Sequence, residues 1–175
     1  MNLDHIYLQT DSLKLFLAAA MMLVGVFDDV KNQKVHNKLV IAFFIISFLA
    51  VILLEGTSGL YVGLASLLTA ILFGVPVYML KVFAGGDLKI LIAISPLLLW
   101  KNIIILLLSS FFWGAILGIL FVILKGNYKQ FLANMYLLVS KSKPQANLTH
   151  KIPYTVALFF GLLTVWTLNS TGGFL

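Results

Sequence analysis

Cysteine and arginine are both absent from this chain of 175 residues, and aspartate and glutamate together number six. Without cysteine there is no disulfide, no thiolate nucleophile and no cysteine-ligated zinc. Only 10% of the residues are charged, against about 25% in a soluble domain. That is too little polar surface to face water all round. The first ten residues, MNLDHIYLQT, lack a basic segment, so a cleaved signal peptide is not expected.

What is present is apolar: 61% of the residues are hydrophobic and the mean hydropathy is +1.05. The expectation is an integral membrane protein, all-α and polytopic, forming one bundle from 1 to 175 with no separate soluble domain. Six apolar runs, about 13–27, 39–54, 59–80, 88–100, 103–124 and 153–168, are each taken as a helix, because backbone polar groups in lipid must be satisfied within the segment. EGTSG at 55–59 and WKN at 100–102 are expected turns, and Pro76 and Pro96 expected kinks. The pairs Gly59/Gly63 and Gly114/Gly118 fit a small-residue spacing that permits close helix approach.

The net charge of +6 rests on lysine alone, and in a membrane protein such charge first sets topology rather than nucleic-acid binding. The connections after runs one, three and five hold Lys31, Lys34, Lys38, Lys81 and Lys89, then Lys125 through Lys151; the other side holds Lys14 and Lys101. This asymmetry puts those three connections in the cytoplasm and both termini outside. Within 125–152, Tyr128, Phe131, Leu132, Met135 and Val139 recur at helical spacing, the pattern of an amphipathic helix on the inner membrane surface.

Asp4, Asp11 and Glu55 fall in polar segments where solvation is expected. Asp28, Asp29 and Asp87 lie instead at the cytoplasmic ends of runs one and four. Asp28 and Asp29 close a helix at its negative end, which disfavours a carboxylate by roughly 0.3–1 kcal/mol. Asp87 has a structural explanation, as N-cap of a helix beginning at Leu88 after a glycine turn. Runs one and four are also short, about 22 and 20 Å of helix against a hydrocarbon core of about 30 Å. Both can hold aspartates just inside the lipid boundary, where a charge needs a partner or a cavity. Two carboxylates brought together from different helices share a proton, the requirement for activating water against a peptide bond. Gly85 and Gly86 allow another backbone to approach such a site. An ion-coupled transporter, or an assembly subunit whose aspartates only cap helix ends, are the alternatives. The first is weakened by the lack of acids in mid-span.

DVKNQKVHN (29–37) and AGGDLK (84–89) resemble the Asp-Leu-Arg-x-x-x-Ile-Pro-Asn and Gly-x-Gly-Asp-x-Lys motifs of type IV prepilin peptidases. HKIPYTVALFFG (150–161) is similar to the segment opening their last helix, and the six runs and chain length look like the short branch serving Flp/Tad pili. The resemblance implies an intramembrane aspartic endopeptidase of the inner membrane with Asp29 and Asp87 as the catalytic pair. Asn37, Gly85, Gly86 and Lys89 would be supporting motif residues. Asp29 is preferred to Asp28 because it sets Val35 and Asn37 on the motif's Ile and Asn. The implied partner is a prepilin or pseudopilin, cleaved on the cytoplasmic side after a glycine preceding a hydrophobic helix. No cofactor or metal is implied, and methylation of the new N-terminus is not expected without the cysteine-rich module of the longer enzymes. Two positions depart: Ala84 stands for the first glycine and His36 for the proline. His36 is expected as a loop residue, since no second histidine or cysteine lies near it at metal-ligand spacing. Lys89 is expected either to tune the aspartates or to bind lipid headgroups.

Overall fold

The computed structural model describes residues 3–32, 34–124 and 154–171; the amphipathic helix expected within 125–152 lies outside them. The described residues form five α-helices and no strand: α1 (Leu3–Asn32), α2 (Asn37–Met79), α3 (Gly85–Ile94), α4 (Trp100–Leu124) and α5 (Tyr154–Ser170). The all-helical expectation holds. Six separate helices do not appear among these residues, because runs 39–54 and 59–80 are two arms of α2.

Gly56 is where α2 turns. Its φ of 66° and ψ of −147° lie in a region essentially confined to glycine. A Cβ on Gly59 would come within 3.0 Å of Val51 Cγ1, although eight residues along a straight helix span about 12 Å. The chain has therefore doubled back. The arms also run in opposite senses along α3. In the first, Gly25 of α1 faces both Phe43 and Ile90, and further on Ser47 Oγ donates to the Ala93 carbonyl at 2.7 Å. In the second, Gly63 faces Pro96 while Gly74 faces Leu88 and Leu91.

The run at 88–100 is only partly α-helical. It ends as α-helix at Ile94, tightens into a 3₁₀ turn over Ser95–Leu97, and is extended at Leu98. Pro96 supplies no N–H and its ring opposes continuation. The break expected at 100–102 accordingly falls at Leu98 and Leu99, and α4 starts at Trp100. α3 is the centre of the bundle: Ile90, Leu91, Ala93 and Ile94 are wholly buried, packed in one core with Met22, Ile103, Leu106, Leu158 and Leu162.

Large apolar side chains also cover the outside, including Phe16, Leu53, Phe112 and Leu124. A water-facing surface of that kind would associate or aggregate; against lipid it is the stable arrangement. α2, and Trp100–Phe121 within α4, are long and apolar enough to cross a membrane. The arms of α2 are roughly 28 and 34 Å long, near the thickness of the hydrocarbon core.

At the Gly56 end of the bundle, buried Lys14 donates to Glu55 and pairs with Asp11 at 2.7 Å. Asp11 and Glu55 are thus partners of a buried ammonium rather than freely solvated acids. The same end holds a cavity of about 660 Å³ lined by Asp11, Trp100, Lys101, Asn102 and Trp166. Of the small-residue pairs, Gly63 admits the Pro96 backbone and Gly114 the Tyr154 ring, whereas nothing lies within 4 Å of a Cβ on Gly118.

Candidate active site

The opposite end gathers the C-terminus of α1 and the N-termini of α3 and α5. Asp29 lies in the last turn of α1 and is half-buried. Asp87 lies in the first turn of α3 and is 1% exposed. The helix begins at Gly85 with Ala84 as N-cap, so Asp87 is its third residue and not the cap itself. Its Oδ2 accepts the Ala84 N–H at 2.9 Å, the reach-back half of a capping box. The structural role expected for Asp87 is real, but it occupies one carboxylate oxygen only.

Thr155 joins Asp29 to the start of α5. It is wholly buried in the first turn of α5, and its hydroxyl donates to Asp29 Oδ2 at 2.8 Å. Its backbone N–H favours the ionised form of Asp87, on which the Asp29 charge also acts. Asp87 precedes the apolar run 88–100 and lies outside it. Burial raises the Asp87 carboxyl to about 7; the Ala84 N–H opposes that rise, the Asp29 charge adds to it, and the Thr155 N–H opposes it. Desolvation outweighs the hydrogen bonds because it penalises the charged form whichever neighbour is present.

The loop between α1 and α2 closes over the start of α3. Val35 is buried, and a Cβ on Gly86 would meet its Cγ2 at 2.8 Å. Gly86 is therefore the position that must lack a side chain. Gly85 has more room, with Tyr78 Cε2 at 3.8 Å. Lys89 Nζ donates to Asn37 Oδ1 at 2.8 Å, fastening α3 to the start of α2.

The type IV leader peptidase family model matches residues 16–119, more than half of the chain. This chain belongs to the type IV leader peptidase family. No curated protein and no solved structure compared with it matches. With peptidase membership and these apolar helices, the chain is a membrane protein.

Within this leader peptidase, Asp28 and Asp29 have separate employment, since successive helical residues point about 100° apart. Asp28 accepts the His36 backbone N–H at 2.9 Å, contacts His36 Nδ1 at 2.9 Å and accepts from Asn32 Nδ2 at 2.7 Å. The His36 N–H contact holds the half-buried Asp28 carboxyl below the usual range, with the ring contact next in size. His36 is thus a loop residue fastened to Asp28. Ala84 is extended, with φ −78° and ψ 160°, so alanine fits where the motif has glycine. No cluster of three potential metal-ligating residues occurs among the described residues. Sequence reasoning missed Thr155; its signal was a hydroxyl in the first turn of an otherwise apolar run, immediately after Ile-Pro-Tyr.

Proposed function

We propose that this leader peptidase is an intramembrane aspartic endopeptidase that uses Asp29 and Asp87 to remove the leader of a type IV prepilin or pseudopilin. The observation that carries the reading is a carboxylate from α1, held by Thr155, whose charge acts on a buried carboxyl from α3. Their unequal environments divide the labour. Asp87, buried and protonated near neutrality, donates to the carbonyl oxygen of the scissile peptide. Asp29, half-buried, takes a proton from water as the oxygen attacks the carbonyl carbon. In the second half, Asp29 returns that proton to the departing amine nitrogen. Asp87 recovers its own from the gem-diol hydroxyl as the carbonyl re-forms, so both acids end as they began.

The active end is assigned to the cytoplasm. Lys31, Lys34, Lys38, Lys81 and Lys89 flank the helix ends there, whereas Lys101 and the acid-paired Lys14 lie at the other end. That distribution follows the positive-inside rule and supports six membrane crossings, the α2 arms counting separately. A short polar leader would then reach the aspartates while its hydrophobic helix stays in lipid.

The test is co-expression with small pilins whose N-terminal leader ends in glycine before a hydrophobic helix. At matched membrane levels, Asp29→Asn and Asp87→Asn are each expected to slow leader removal by at least about 100-fold. Normal processing in both variants would overturn the reading.

A further inference from the structure

We propose that Thr155 is the positioning residue of the aspartate pair, its buried hydroxyl fixing the Asp29 carboxylate whose charge acts on Asp87. The proposal rests on the aspartic reading of the same site and deepens it. Asp29 and Asp87 are carried by different helices, and a static pair needs something to set their separation. Thr155, on a third helix, holds Asp29 through its hydroxyl, and the Asp29 charge in turn acts on Asp87. The matched family region ends at residue 119, so it assigns Thr155 nothing.

The local physics explains why this hydroxyl is available. Thr69, Ser109, Thr164 and Ser170 each donate to the carbonyl four residues earlier in their own helix, the usual fate of a helical hydroxyl. Thr155, the second residue of α5, instead donates across the bundle to Asp29. Its backbone N–H is also among the first four, which lack an intrahelical acceptor. The hydroxyl thus reaches a negative group from the positive end of the helix dipole.

The hydroxyl carries a single proton, and it is committed to Asp29 Oδ2. That oxygen acts as an acceptor, leaving Oδ1 to meet water. β-branching restricts the Thr155 rotamer, so the hydroxyl acts as a fixed strut and not as a proton carrier. Thr155 touches Asp29, and its effect passes through that carboxylate.

The experiment compares wild type, Thr155→Val, Thr155→Ser and Asp29→Asn in detergent or nanodiscs. The substrate is a peptide with a short polar leader, a glycine and a hydrophobic segment. Valine preserves shape and removes the donor; serine keeps the donor. Thr155→Val is expected to lower kcat about 10- to 100-fold, with KM changed less than about twofold. It should also move the acidic limb of the pH profile to higher pH, because a hydrogen bond favouring the ionised pair is gone. Thr155→Ser should stay within about threefold of wild type and keep the limb in place. Wild-type rate and profile in Thr155→Val, or equal impairment in Thr155→Ser, would overturn the role. Cleavage by Asp29→Asn at the wild-type rate would instead defeat the aspartic reading. In that case infrared titration of the carboxyl pair still judges Thr155: a midpoint unchanged by Thr155→Val refutes it, and an upward shift absent from Thr155→Ser upholds it.

Discussion

Asp87 sits at 1% exposure beside wholly buried Ile90 and Leu91, and its proton is held until about pH 7. An unfolded aspartate releases its proton near 3.9. Between those values the folded chain binds the extra proton, so stability falls as pH rises from about 4 and levels off above about 7. Asparagine does not titrate and retains an oxygen for the Ala84 N–H. Asp87→Asn should therefore match wild-type stability most nearly at pH 4 and exceed it by a growing margin up to about pH 7. Thermal unfolding in detergent across that range measures it; a margin that shrinks with pH would contradict the burial argument. Asp28 has the opposite sign. Its carboxyl is lowered by His36, so its stabilisation is present above about pH 4 and lost as pH falls further. Asp28 and Asp87 thus have opposite pH signatures, which letters alone do not distinguish.

Loop and helix are joined where Val35 meets Gly86 and Asn37 meets Lys89. That contact gives the two glycines before Asp87 different tolerances. Gly86→Ala forces its new methyl against Val35, and a cleavage loss of about 10-fold or more is expected from displacement of Asp87 by a fraction of an ångström. Gly85→Ala should stay near the wild-type rate, since Tyr78 is at ordinary contact distance. Trimming the loop with Val35→Ala should recover part of the Gly86→Ala loss. Cleavage assays on the three variants check this, and equal effects at both glycines would discount the clamp. Lys89 belongs to this element-level joint: its ammonium is spent on Asn37, and it is not among the influences on Asp87.

Among the described residues, charged groups are confined to the two ends of the bundle while the outer girdle is apolar. The native chain has no cysteine, so a single introduced cysteine is unambiguous to an impermeant thiol reagent. Cysteines at Lys34 and Lys81 are expected to react only when the inner face is open, and one at Lys101 in intact cells. The reverse pattern would invert the orientation and move the aspartates away from a cytoplasmic leader. The two ends are also built differently. One neutralises Lys14 with Asp11 and Glu55; the other leaves a half-buried acid beside a buried one.

Composition alone sufficed for the membrane class and the helical architecture, because a bilayer accepts few backbone solutions. Gly56 within EGTSG marked the reversal, and the letters around Asp29 and Asp87 marked the acids, since short motifs survive in one dimension. Folding supplied the rest. Thr155 and Asp29 are 126 positions apart, and Lys14 and Glu55 41; no local spacing brings such residues into contact. Helix packing did so, and with it made one aspartate dry, gave the other a hydroxyl partner, and turned three polar helix ends into a single site.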